Sequence, residues 1–227
     1  MIVASSLTQI GLSILYILFP IITLYIIYLI LTKAFNYMGF TSLEAIIIVI
    51  VSFLFNFEIS IFGFNISNIY LFSSDNWRVG INLGGAIIPI LLSIYLIFKK
   101  KIPLKSVGIG ILVVTIIAYL VSRPEPDKGI VSAFPYWLLP AFFASITSVI
   151  LLHKNFKKAA PLAYVSGTIG VLIGADFLRI SQLLSYSVEK VTPAIIGGAV
   201  VFDMIFITGI IAVLLDGVIM FRQSSKA

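Results

Sequence analysis

The chain has no cysteine, a single histidine and little charge, with Asp, Glu, Lys and Arg making up 11% of its 227 residues. Without cysteine there is no disulfide, no thiol nucleophile and no thiolate metal site. One histidine, His153, excludes a multi-histidine zinc centre of the His-Glu-x-x-His type. No metal site and no cofactor is expected. A soluble domain carries about 25% charged residues, and a chain with less than half that share has too little charge to cover a water-facing surface. The alternating ten-residue strands of a membrane barrel are missing as well. So is any long basic or aromatic platform, and nucleic acid is not an expected partner despite the net charge of +6.

What fills the chain instead is apolar: 60% of residues are hydrophobic and the mean hydropathy is +1.16. Several Ile/Leu/Val/Phe runs exceed the roughly 18 residues that cross a bilayer as a helix. The expected fold is all-α, one polytopic transmembrane bundle over residues 1–227. Its seven spans fall at about 9–32, 42–57, 80–98, 104–122, 134–152, 161–179 and 194–220. The lipid bilayer is the first expected partner. Residues 58–79, rich in Asn, Ser and aromatics, read as a hairpin or interfacial loop between spans two and three.

The basic residues orient this bundle. Lys33, Lys99, Lys100, Lys101, Lys105, Lys154, Lys157, Lys158, Arg222 and Lys226 fall on one side; Arg78, Arg123, Lys128, Arg179 and Lys190 fall on the other. The positive-inside rule places the first group in the cytoplasm, with the N-terminus outside and the C-terminus inside.

Against this background two acids stand out. Asp176 and Asp203 lie in apolar, glycine-punctuated stretches, Gly167-Thr-Ile-Gly-Val-Leu-Ile-Gly-Ala-Asp176 and Gly197-Gly-Ala-Val-Val-Phe-Asp203. A charged side chain at membrane depth costs about 3 kcal/mol or more, so it normally faces a cavity or a partner. Both acids fall in the outer half of their spans, and Asn82 starts span three at the same level. Three readings are open. Arg179, three residues beyond Asp176, can neutralise it as an i,i+3 pair while Asp203 bonds a helix break. Alternatively Asp176, Asp203, Asn82 and Arg179 bind a small cation or solute among glycine-interrupted helices. Under the third reading Asp176 and Asp203 are catalytic, sharing one proton and activating water. Intramembrane aspartyl proteases carry Tyr-Asp and Gly-x-Gly-Asp motifs. Phe202-Asp203 and Gly174-Ala-Asp176 resemble these with the order reversed and the last glycine replaced.

Small residues surround the acids. Gly167, Gly170 and Gly174 share a helical face, as do Gly198, Gly209 and Asp216, which fits close helix packing. Gly84-Gly85-Ala86 recurs as Gly197-Gly198-Ala199, both at outer starts of inward-running helices. Pro89 is expected to kink span three beside Asn82. The segment Ser122-Arg-Pro-Glu-Pro-Asp-Lys-Gly129, with two prolines, reads as a stiff outer turn or as a lid. Asp216, near the inner end of span seven, can reach interfacial lysines or join a second, inner site.

Five segments together resemble an uncharacterised prokaryotic membrane family, domain of unknown function 1614. They are Met38–Ala45, Gly80–Pro89, Ser122–Gly129, Ala160–Asp176 and Gly197–Gly209. The chain departs from that pattern at Phe177-Leu-Arg179 and at Phe53-Leu-Phe-Asn-Phe57. The resemblance implies a bacterial or archaeal multi-span protein of the cytoplasmic membrane, without an assigned activity. The expected function is binding, and transport, of a small cation or solute at the outer acidic site. An intramembrane aspartyl hydrolase is the alternative, and a non-catalytic scaffold the third.

Overall fold

The computed structural model describes residues 2–55, 57, 59–62, 64–126, 128–153, 155–198 and 204–224. Helices dominate: α1 (Ile2–Met38), α2 (Ser42–Leu54), α3 (Ile88–Lys100), α4 (Leu104–Val121), α5 (Leu139–Leu152), α6 (Phe156–Val171), α7 (Leu178–Leu184) and α8 (Met204–Ser224). The all-α class holds. Four helical stretches are long and apolar enough to cross a membrane: Leu15–Met38, Leu83–Lys100, Leu104–Val121 and Lys157–Leu184. Ser42–Leu54, Tyr136–Leu152 and Met204–Ile219 are apolar but shorter. Each of the seven expected apolar segments therefore contains helix.

Two expected spans begin differently. Residues 80–82, read as the start of span three, close strand β4 (Trp77–Asn82); residues 194–196, read as the start of span seven, close strand β7 (Thr192–Ile196). The reason is local. Trp77 and Val79 are buried while Arg78 is exposed, the two-residue alternation of a half-covered strand. Pro193 lacks the N–H of an interior helical residue, and Gly197 and Gly198 have φ of +86° and +65°, outside helical backbone.

β4 is the middle strand of a three-stranded sheet. It pairs antiparallel with β3 (Asn68–Ser74) and parallel with β7, from Trp77↔Thr192 to Ile81↔Ile196. The hairpin expected between spans two and three is formed by β3 and β4, with a shorter one, β1 (Ser60–Ile61) and β2 (Phe64–Asn65), before it. Strands β5 (Ser122–Glu125) and β6 (Gly129–Ser132) make a hairpin of the proline-rich segment. Since α3, α5 and α8 follow strands and α2, α4 and α7 precede them, all this β structure lies at one end of the bundle. The opposite end carries Lys99, Lys100, Lys101, Lys157 and Lys158, where Lys158 Nζ donates to the Lys101 carbonyl at 2.9 Å.

The central column is α6, packed by α8, α4, α5 and α3. Small residues allow this. A Cβ on Gly170 would stand 2.5 Å from the Val114 Cβ of α4, and one on Gly209 would stand 2.6 Å from Thr168 Oγ1 of α6. One core cluster joins Phe35, Met38, Leu96, Leu162 and Val213. A second, toward the sheet end, joins Trp77, Val79, Val114, Val171 and Ile205.

Candidate functional site at the sheet end

The column does not continue as regular helix to the sheet end. Residues Leu172–Phe177 form a π-turn between α6 and α7, and Leu83–Ile87 form another between β4 and α3. A π-turn bonds i to i+5 and inserts one residue into the helical ladder, which re-aims the side chains after it; such turns recur at functional sites. The first carries Gly174 and Asp176. On ideal α geometry Asp176 would point away from the face that holds Gly167 and Gly170. The π-turn changes that phase.

Asp176 is half-buried, and its Oδ2 accepts the Gly197 N–H at 2.7 Å. Its side chain borders two adjoining cavities. One, about 250 Å³, is lined by Ser122, Ser132, Trp137, Val171 and Ile205. The other, about 470 Å³, is lined by Trp77, Lys128, Leu183, Thr192 and Gly198. Ile130 of β6 and Asp176 belong to both. The proline-rich segment thus forms a wall of the acid's cavity. Its Glu125 pairs with Lys128 at 3.0 Å and Arg123 at 2.9 Å. The hydrogen bond from Lys128, then that from Arg123, holds the Glu125 carboxyl below its ordinary value of 4.5. Asp127 lies outside the described residues.

The floor beneath Asp176 is a close contact of two glycine pairs. Because β4 and β7 run parallel, Gly85 and Ala86 of the first tripeptide come against Gly197 of the second. A Cβ on Gly85 would overlap the Gly197 carbonyl oxygen, and one on Gly197 would stand 2.5 Å from the Ala86 Cβ. Only glycine fits both places. Ala199, the end of the second tripeptide, lies outside the described residues. Asn82 fixes this junction and is wholly buried. Its Oδ1 accepts the Gly85 N–H at 2.7 Å, and its Nδ2 donates to the carbonyl of Phe55 at 3.3 Å and to Asn68 Oδ1 at 2.8 Å. Pro89 is the seventh residue of the continuous helical stretch Leu83–Lys100, directly after the π-turn, and its missing N–H leaves a carbonyl of the preceding turn without a helical partner. The departure from α geometry and the proline fall together.

Arg179 does not pair with Asp176. Its guanidinium lies 3.7 Å over the Tyr119 ring and donates to the Tyr119 carbonyl at 2.7 Å and to Gln182 Oε1 at 2.6 Å. The i,i+3 neutralisation is therefore corrected: on leaving the π-turn the arginine faces α4. Asp203, the second acid of the sequence reading, lies outside the described residues. Gly167 faces α8, where its Cβ would stand 3.3 Å from the Thr208 methyl, and a Cβ on Gly174 would overlap the Thr115 carbonyl oxygen of α4.

Several cavity residues had carried no weight in the sequence. Trp77 is buried and donates Nε1–H to the Tyr186 carbonyl at 2.8 Å, while Asn76 Nδ2 donates to the Val188 carbonyl at 2.7 Å. These bonds fix the chain between α7 and β7 against the sheet. Trp77 in an aromatic loop was their one visible signal.

The family known as protein of unknown function (DUF1614) matches residues 55–215, more than half of the chain. The chain belongs to that family. The matched range takes in both π-turns, the three-stranded sheet and the wall at β5–β6, so the sheet-end site lies inside the DUF1614 region. No curated protein and no solved structure matches the chain.

Proposed function

We propose that this DUF1614 protein binds a small cation or polar solute at Asp176 and carries it across a prokaryotic cytoplasmic membrane. The supporting observation is the position of Asp176: a carboxyl on a π-turn at the junction of two cavities, roofed by a hairpin and floored by paired glycines. Polar groups beside non-helical backbone at a bundle's centre or mouth are the usual way a helical carrier holds a solute. Asp176 is the ligand-facing group. Asn82 positions the junction, and Arg179 holds α7 to α4. Asp203 is a second candidate acid on sequence grounds. The hydrolase reading needs both acids around one water, and no observation favours it.

In this reading the lysine-rich end faces the cytoplasm and the sheet end faces outward, with seven crossings. The cysteine-free chain suits the orientation test. A membrane-impermeant thiol reagent applied to intact cells is expected to label Ser73→Cys and spare Lys105→Cys; the reverse labelling inverts the topology. For function, purified protein in liposomes is tested for uptake of sodium, potassium, ammonium and small zwitterionic amines. Asp176→Asn is expected to lower uptake at least tenfold, as expected of a ligand contact worth about 1.4 kcal/mol or more. Uptake unchanged in both Asp176→Asn and Asp176→Ala removes the proposal and leaves the scaffold reading.

A further inference from the structure

A second polar region lies deeper in the bundle, away from the cavities. Asp216 of α8 is 0% exposed. It lies eleven residues past Ile205, which lines the Asp176 cavity, or about 16 Å along the helix axis. Its contact is Ser148 of α5: Ser148 Oγ stands 2.5 Å from Asp216 Oδ1 and 2.8 Å from the Ser145 carbonyl oxygen.

Proton counting makes this contact informative. A serine hydroxyl owns one proton, while a carbonyl oxygen and an ionised carboxylate own none. Ser148 cannot donate to both oxygens, yet both distances are those of hydrogen bonds. The two bonds form together when Ser148 donates to the Ser145 carbonyl and Asp216 donates its own carboxyl proton to Ser148 Oγ. The surroundings agree. Asp216 Oδ2 has no partner, and no cation pairs with this acid among the described residues. A buried carboxylate without a counter-charge takes up a proton rather than remain charged.

The elements packed on α8 are α6, α5, α1 and, at the sheet end, the Leu83–Ile87 π-turn, which carries no titratable side chain. Tyr164 is the titratable group on the face of α6 that meets α8, and Tyr37 of α1 abuts Gly217 with its ring edge. From α5 come Ser145 and Ser148. His153 and Lys157 are exposed at the lysine-rich end, and Lys158 donates to the Lys101 carbonyl. The seam between Asp216 and the sheet end is lined by further hydroxyls. Ser145 and Thr208 are buried and have no partner for their side-chain oxygens, and Tyr164 and Thr168, one turn apart on α6, bring two more buried hydroxyls close to each other. Interiors leave few such groups unpaired, and a row of them points to water or a mobile proton.

We infer that Asp216 is a proton-binding site in the membrane-spanning core, a neutral carboxylic acid that exchanges its proton with water admitted along the α5–α6–α8 seam. On release the carboxyl O–H bond breaks and a seam water accepts the proton. The resulting carboxylate accepts the Ser148 hydroxyl proton, which turns away from the Ser145 carbonyl. Uptake reverses each step. None of this rests on solute binding at Asp176.

Infrared spectroscopy of the full chain in phosphatidylcholine vesicles tests it at neutral pH. The carbonyl stretch of a protonated carboxylic acid is expected in the wild type, lost in Asp216→Asn, shifted in Ser148→Ala and unmoved in Asp176→Asn. A spectrum unaffected by Asp216→Asn overturns the inference. If Asp216→Asn does not fold, the wild type is labelled with dicyclohexylcarbodiimide, which modifies protonated carboxyls in apolar surroundings. The adduct is expected on the peptide holding Asp216 and is expected to decline as the pH rises. No adduct there overturns the inference, as does protection by sodium at constant pH, which would make the site a sodium site. Loss of the uptake phenotype of Asp176→Asn would leave the Asp216 band in place, so the two proposals fail separately.

Discussion

At the sheet end, most buried polar groups are paired, Ser132 Oγ and Arg179 Nε being exceptions; in the helical core, many are not. Asn82, Trp77, Asn76 and Asp176 each hold at least one hydrogen bond to a backbone group or side chain from another segment. Ser145 and Thr208 are buried as deeply as Asn82 and Trp77 and hold none through their hydroxyls, and Tyr164 and Thr168, one turn apart on α6, have only each other's hydroxyls within reach. The difference follows from backbone supply. Where the chain leaves helical geometry, at a π-turn, a strand end or a glycine pair, it has N–H and C=O groups to offer. Inside an α-helix those groups are consumed, and a hydroxyl can reach only a carbonyl one turn back. Thr32 and Ser93 do that, bonding Tyr28 and Pro89 at 2.8 Å. The four seam hydroxyls do not, which makes the α5–α6–α8 seam the less stable arrangement and the more informative one.

The harshest way to break the paired region is to fill its glycine contact. Gly85→Val places a branched side chain against the Gly197 carbonyl, which cannot retreat without opening the β4–β7 pairing. Overpacking on this scale costs about 3 kcal/mol or more, and SDS-titration unfolding should show it. Gly108→Ala serves as control, since nothing lies within 4 Å of its added methyl. Asn82→Ala comes next. It orphans the Gly85 N–H and frees the Phe55 carbonyl and Asn68, a loss of about 2 kcal/mol for a buried cap.

The comparison is sharpest in a matched pair of aromatic substitutions. Trp77→Phe removes a donor and leaves the Tyr186 carbonyl unpaired; stability should fall by about 1–3 kcal/mol. Tyr164→Phe removes a hydroxyl with no partner but the Thr168 hydroxyl of its own helix, so stability should change by no more than about 1 kcal/mol. Equal losses in the two variants would mean that the seam is as well satisfied as the sheet end.

The helical part of this fold was legible because it rests on composition and run length, which a bilayer-spanning helix cannot disguise. Strands β4 and β7 were hidden inside the same runs. Ile81, Ile195 and Ile196 read as helix until the glycine pair stops them, and their pairing partner is more than a hundred residues away. Asp176 was visible as a costly acid among glycines. Its distance from Arg179 was not, because the π-turn changes the phase that an i,i+3 argument assumes. The twin Gly-Gly-Ala tripeptides were visible as a repeat, but their contact required the parallel register. Asp216 was visible as an acid near a helix end. Its isolation from the lysines was not, since helical spacing says nothing about how far a neighbouring helix extends over it.

The smallest expected effect is at the rim of the cavity, where water competes with every contact. Glu125 is held by Lys128 and Arg123 at the tip of the β5–β6 hairpin, and its carboxyl titrates below the ordinary value. A depressed carboxyl contributes stability that is fully present above the unfolded-state value of 4.5 and is lost as the pH falls through its lower folded value. The hairpin should therefore be unchanged between neutral pH and 5, and loosen only in acid below that. Exposed pairs of this kind contribute little to global stability, so the measurement must be local. The hydrogen-exchange protection factor of Ile130 and Val131, the intrinsic rate at each pH divided by the observed rate, should fall in acid in the wild type, since their strand faces β5, and Glu125→Gln should show the lowered protection at neutral pH. Protection factors that are flat with pH and equal in both would mean that the prolines alone set the hairpin and that the ion pairs are incidental to the cavity wall.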